Sequence, residues 1–259
     1  DLTAWTEMVN RIKNPTKSIK VAVVGKYVEL KDAYISIDES IKHAGYHLYT
    51  KCDIDYIQAE DVDVSTLSNY DGILVPGGFG HRAVEGKINA IEFAREHKIP
   101  FFGICLGMQT TVIEYARNIL GYDGANSTEF DPETKFPVID LLPDQKDIEN
   151  MGGTMRLGIY PCKLKDGTLA KKLYNEELIY ERHRHRFEFN NEFKDAIQAA
   201  GLVISGSSPD GRLAEIVELP QEVHPFFIAG QFHPEFKTRP NRPHPMFTGF
   251  IKAMLKQDI

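Results

Sequence analysis

Over the first 120 residues the apolar positions alternate between two textures. Residues 18–24 (SIKVAVV), 72–75 (GILV) and 100–104 are mostly apolar, as strands buried on both faces are, and 47–57 repeats the strand step. Between them, residues 32–43, 83–97 and 106–120 space their apolar side chains at three and four, as helices with one buried face do. The 32–43 helix is expected to stop at Gly45. Strands alternating with helices predict an α/β fold with an open, mostly parallel central sheet flanked by helices. Trp5, Met8, Val9 and Ile12 also fall at helical spacing, ahead of Pro15. A short amphipathic helix at the margin of a domain reads as a linker, so residues 1–17 are expected to lead in from something upstream and 18–259 to form the domain.

Beyond about residue 120 polar turns and hairpin signals take over, such as SSPDG between residues 202–205 and 213–219, predicting an antiparallel subsidiary portion. Residues 226–232 return to an apolar strand, and a helix over 246–256 closes the chain. Residues 122–154 form the longest stretch without a pattern, the kind of loop that serves as a lid.

Composition narrows the function classes. A formal net charge of -7 repels polyanions and argues against nucleic-acid binding. No apolar run is long enough to span a bilayer, so no membrane role is expected. Three cysteines, widely spaced and without a CxxC pair, indicate neither a disulfide framework nor a metal site and fit a reducing cytoplasm.

Chemistry concentrates in a few segments. GICLG sets Cys105 between Gly103 and Gly107, at the end of an apolar strand and the start of a helical pattern, the arrangement of a nucleophile elbow with Cys in place of Ser. The glycines avoid collision with the neighbouring strand and helix, and the helix N-terminus favours the thiolate. Alone, the segment fits a buried cysteine in an ordinary turn equally well. QFHPE places His233 and Glu235 just after the 226–232 strand. An imidazole can exchange a proton with the thiol and a carboxylate two residues on can orient it, although an HPE surface turn would look the same. Activity is expected to fall in acid as His233 takes up a proton. PGGFG after the 72–75 strand offers bare backbone N–H groups, so Gly78 with the N–H of Leu106 is a candidate oxyanion site. RHRHRFEF alternates at strand period, with Arg182, Arg184 and Arg186 on one face and His183 and His185 on the other. It reads either as a solvated edge strand or as an anion-recognition strand. Glu129 in NSTEF could hold a substrate ammonium, or be a solvated loop residue.

PGGFG, GICLGMQ and QFHPE, in that order, resemble the class I glutamine amidotransferases. NSTEF, GGTMRLG and ERHRHRFEF resemble in particular the glutaminase domains of CTP synthases. The resemblance runs from about residue 18 to the C-terminus. It implies a flavodoxin-like sheet and hydrolysis of L-glutamine to glutamate and ammonia, with Cys105 forming a glutamyl thioester, His233 as general base and acid, and Glu235 orienting it. Gly78, Leu106, Gly107, Met108, Gln109, Glu129 and Arg186 match the family's glutamine-binding positions, and Arg156 is a candidate contact for GTP, an allosteric activator. No cofactor is expected in this domain. ATP, UTP and magnesium belong to an N-terminal synthetase domain that this sequence lacks, within a parent enzyme expected to be a homo-oligomer. A free-standing γ-glutamyl hydrolase or peptidase, or a catalytically silent nucleotide-binding domain, are the competing readings.

Overall fold

One nine-stranded sheet organises the chain in a computed structural model, which describes residues 1–26, 31–78, 82–141 and 155–259. Its parallel half is built from β1 (Lys17–Gly25), β2 (Thr50–Gln58), β3 (Gly72–Val75), β4 (Phe101–Ile104) and β12 (Phe227–Gly230). The antiparallel half comprises β7 (Arg156–Leu164), β8 (Leu178–His185), β10 (Val203–Ser207) and β11 (Ala214–Glu218). The order is β2-β1-β3-β4-β12-β11-β10-β7-β8. The antiparallel strands thus extend the same sheet past β12 and place β8 at its edge. A small second sheet joins β5 (Asn126–Ser127), β6 (Pro137–Asp140) and β9 (Glu188–Phe189).

The central strands read as apolar throughout because each packs against helices on both faces. Phe101 and Phe227 belong to the core on one side, with residues of α3 (Val84–His97) and α4 (Leu106–Asn118). Phe102, Ile104 and Ile228 face the other side, against α2 (Ile35–His47) and α7 (Pro245–Met254). There Phe102 meets Phe247 edge-on, with ring centroids 5.1 Å apart. Two short helices the sequence pattern did not predict, α5 (Leu169–Tyr174) and α6 (Lys194–Ala199), flank the antiparallel half.

The α2 helix runs through Gly45 instead of stopping there. A Cβ at Gly45 would lie 2.6 Å from Cys52 Sγ and 2.8 Å from the Thr50 carbonyl oxygen, so this glycine permits close approach to β2 and is not a helix stop. The expected N-terminal helix is present as α1 (Thr3–Lys13). Met8 is buried while Trp5, Val9 and Ile12 stay exposed. Of the long patternless stretch, residues 126–127 and 137–140 are strands and 142–154 lie outside the described residues. So do Phe79 and Gly80 of PGGFG and Gly152 to Thr154 of GGTMRLG. Among the described residues no helix is long and apolar enough to cross a membrane.

Strand order decides where the chemistry gathers. β3, β4 and β12 are adjacent and parallel, with Gly103 paired to Val75 on one side and to Ala229 on the other. Chain segments leaving their C-terminal ends therefore emerge side by side, where open α/β sheets form their sites.

Candidate active site

Cys105 follows β4 and caps the N-terminus of α4 with φ 53° and ψ -103°, a left-handed backbone that a branched or bulky side chain could not easily adopt. Its N–H donates to the Gly230 carbonyl at 2.7 Å, tying the turn to β12. The flanking glycines are sterically required. A Cβ on Gly107 would sit 2.2 Å from the Val75 carbonyl oxygen, and one on Gly103 would sit 2.8 Å from Ala229 Cβ and 2.9 Å from the Gly107 carbonyl oxygen. The pattern expected of an elbow is thus met on both sides, by strand and by helix.

His233 and Glu235 leave the end of β12. His233 Nδ1 and Glu235 Oε1 lie 2.7 Å apart, and both side chains are largely buried. The His233 backbone N–H donates to the Arg182 carbonyl at 2.7 Å, and its ring stacks on Phe236 at 5.3 Å. The ring is close to Cys105: a Cβ built on Gly77 would be 2.9 Å from His233 Cε1 and 3.4 Å from Cys105 Cβ. Burial alone would lower the imidazole pKa. The negative Cys105 sulfur, its hydrogen bonding and then Glu235 outweigh burial and raise the pKa to about 10. At neutral pH His233 therefore holds its proton. The fall of activity in acid expected from the sequence thus concerns an imidazole coupled to its neighbours.

Gln231, fully buried, donates from Nε2 to Cys105 Sγ at 3.7 Å. Its Oε1 accepts from Gln109 Nε2 at 3.2 Å, and that same nitrogen also donates to the Phe187 carbonyl at 3.0 Å. A donor to sulfur favours its charged form. Gln231 stands inside QFHPE, but sequence alone did not mark it out from a strand residue, because its partner Gln109 is 122 positions away.

The remaining candidates divide. Gly78, Cys105, Gln109, Glu129 and Arg186 line one cavity over the sulfur. Leu106 opens α4, where backbone N–H groups lack helical partners, and its side chain lies 3.6 Å from the Cβ position of Gly78. Gly107 and Met108 are not in that lining. Gly107 is pressed on β3, and the Met108 side chain is in the core. Arg156 lies apart, its guanidinium bonded to Glu188 at 3.2 Å and to Glu215 at 2.9 Å and stacked 4.5 Å over Tyr160. The alternation of the RHRHR strand is as expected: His183 and His185 are buried, Arg182 and Arg184 exposed. Among the described residues no group of three or more His, Cys, Asp or Glu could hold a metal ion.

The comparisons with known proteins agree with this geometry. The glutamine amidotransferase class-I family matches residues 29–253. CTP synthase of Clostridium perfringens (strain SM101 / Type A) is 60% identical over 259 residues, covering 98% of this chain and 48% of the relative. CTP synthase of Bacillus subtilis (strain 168) is 57% identical over 260 residues, covering 99% of this chain and 48% of the relative. The chain spans about half the length of the curated relatives it matches. A solved glutaminase domain of Trypanosoma brucei CTPS, with bound acivicin, superposes with a TM-score of 0.87 at 36% identity, over 93% of this chain and 95% of that one. The chain belongs to the glutamine amidotransferase class-I family, as a domain of the CTP synthase glutaminase type.

Proposed function

We propose that this chain hydrolyses the side-chain amide of L-glutamine on a triad of Cys105, His233 and Glu235. The observation that carries the reading is a cysteine strained into a strand-to-helix elbow beside an imidazolium that is hydrogen-bonded to a buried carboxylate at 2.7 Å. The Cys105 thiolate attacks the amide carbon, and the oxygen gains negative charge opposite the N–H groups of Gly78 and Leu106. His233 gives its proton to the departing nitrogen, and ammonia leaves a glutamyl thioester. Water, losing a proton to His233, then attacks the thioester and frees glutamate while the thiolate is restored. Glu235 holds the imidazole in register throughout.

Arg186 and Glu129 would take the substrate's α-carboxylate and α-ammonium, a reading supported by one cation and one anion lining the cavity with Cys105. Gly107 serves through backbone and packing, and Met108 anchors α4 in the core.

In the full-length protein the ammonia would aminate UTP to CTP in an N-terminal synthetase domain that uses ATP and magnesium. The exposed apolar residues of α1 support residues 1–17 as the linker to that domain. A GTP contact through Arg156 would have to draw its guanidinium away from Glu188 and Glu215, so any such role runs through movement of β7.

The test is glutamate release from glutamine by the purified chain, with and without GTP, beside Cys105→Ala. Release abolished by the substitution supports the reading. Release from γ-glutamyl peptides in preference to glutamine would replace it with a peptidase, and labelling of Cys105 without any turnover would replace it with a silent domain.

A further inference from the structure

Lys87 stands on the apolar face of α3, in step with Val84, Ile88 and Ile91, where a helix of this kind ordinarily carries an aliphatic residue. Its side chain is fully buried, and its Nζ has no hydrogen-bond partner among the described residues. Lysines normally extend their ammonium to water along an apolar stem, and burying one without a carboxylate is among the more costly arrangements in a protein. The ammonium is directed at the site. It lies 3.6 Å from the position a Cβ on Gly78 would occupy, as does Leu106 Cδ2, so it stands beside the backbone proposed above to hold the reacting oxygen. At Gly86, one residue earlier, a Cβ would fall 1.6 Å from the Ala59 carbonyl oxygen, so α3 is packed closely at this point.

We propose that Lys87 is a positioning residue for the reaction of Cys105, a buried cation that acts from behind Gly78 to favour negative charge on the sulfur and on the oxygen of the tetrahedral intermediate. The inference rests on the glutaminase reading above. Two charged groups bear on the ammonium. Burial and the neighbouring Lys26 at the end of β1 lower its pKa to about 8, and Cys105 opposes them. Because coupling is mutual, a thiolate that holds the proton on Lys87 is itself favoured by Lys87. In a water-excluded site a fixed charge of this kind needs no reorganisation as the reaction proceeds.

Lys87→Met keeps the stem and removes the charge. It is expected to lower kcat for glutamine about tenfold, less than the loss of a direct oxyanion donor, with KM held within about twofold. Alkylation of Cys105 by iodoacetamide should slow at pH 7, and its pH midpoint should rise. Turnover and alkylation profiles matching the parent would overturn the proposal. A second measurement requires no change at residue 87. In protein carrying 13C-labelled lysine, the resonance that titrates near pH 8 should move to lower pH in Cys105→Ser. An unmoved midpoint overturns the coupling. Alkylation and lysine titration do not depend on turnover. A chain showing both effects but hydrolysing no glutamine would sink the glutaminase reading and leave the Lys87 coupling standing.

Discussion

Replacing Glu235 with Gln removes a charge but little volume at the 2.7 Å contact with His233 Nδ1. The imidazole is raised from 6.5 to about 10, a preference for the protonated ring of about 5 kcal/mol. The thiolate is the larger source and Glu235 the smaller. Assigning about 1–2 kcal/mol to the carboxylate gives a fall of about 5–30-fold in the thiolate–imidazolium population. The assay pairs steady-state glutamate release with the pH dependence of Cys105 alkylation by iodoacetamide. Glu235→Gln should lower kcat by at least that factor and move the alkylation midpoint up. The folded state should respond in the same sense. His233 binds its proton more tightly folded than unfolded, so it stabilises fully below pH 6.5 and its contribution is lost as pH rises through about 10. In the variant that upper limit should move down. An unchanged alkylation profile beside a reduced kcat would refute the reasoning, because the carboxylate would then act at a step after thiolate formation.

Gly107→Ala forces a methyl group to within 2.2 Å of the Val75 carbonyl oxygen. It should cost about 1–3 kcal/mol of stability by overpacking, read as a lower Tm, and should slow Cys105 alkylation by moving the elbow. Arg186→Met should raise KM for glutamine about 10–100-fold, the worth of a charge-assisted hydrogen bond, while leaving the alkylation rate of Cys105 near that of the parent. Arg156→Met strands Glu188 and Glu215, buried and without their cation, and should cost about 3–5 kcal/mol in denaturant unfolding. Unchanged stability would mean the guanidinium is not what holds those carboxylates. Lys87→Met should instead stabilise. A pKa held near 8 in the fold against 10.5 unfolded corresponds to about 3 kcal/mol of cost below pH 8. The unfolded chain binds more protons between pH 8 and 10.5, so the parent gains stability across that window and the advantage of the variant should shrink there.

The parallel half of the sheet was legible because burial on both faces leaves a continuous apolar run, and 72–75, 100–104 and 226–232 all appear within two residues of their strands. In the antiparallel half the hairpin of β10 and β11 and the alternation of β8 were legible, but their place in the same sheet was not. β7 escaped because its pattern, from exposed Leu157 and Ile159 to buried Cys162 and Leu164, does not keep one face to water. Cys105, His233 and Glu235 could be found because strained turns and adjacent acid–base partners constrain neighbouring residues. Gln231 and Lys87 could not. Each acquires its meaning from a partner brought close by the fold, and a lysine within an amphipathic helix carries no mark of which way it faces.

Main-chain bonds explain why a portion that looked subsidiary belongs to the site. Cys105 N–H is held by Gly230 of β12, and His233 N–H by Arg182 of β8, each at 2.7 Å. Cys105 and His233 are therefore not braced by the same neighbour. Cys105 leans on the parallel half, and His233 leans on the last antiparallel strand, which lies at the far edge of the sheet order yet reaches back towards the ends of β4 and β12. The carbonyl of Arg184 on that strand lies 4.0 Å from Cys105 Sγ, and Arg186 just beyond it lines the cavity. An edge strand meant only for solvent would need charge on one face and could have any polar residue on the other. This one buries His183 and His185 against Glu215 and Glu188, with His185 Nε2 2.7 Å from Glu188 Oε1. Burial holds His183 neutral, its pKa lowered to about 2 by desolvation, Arg156 and His185. The cluster thus ties β8 to β7, β9 and β11, and the Arg182 carbonyl of β8 receives the His233 N–H. For the proposed reaction, placement of His233 to within the tolerance that proton transfer demands then depends on the antiparallel half, while the strained turn that carries Cys105 belongs to the parallel one.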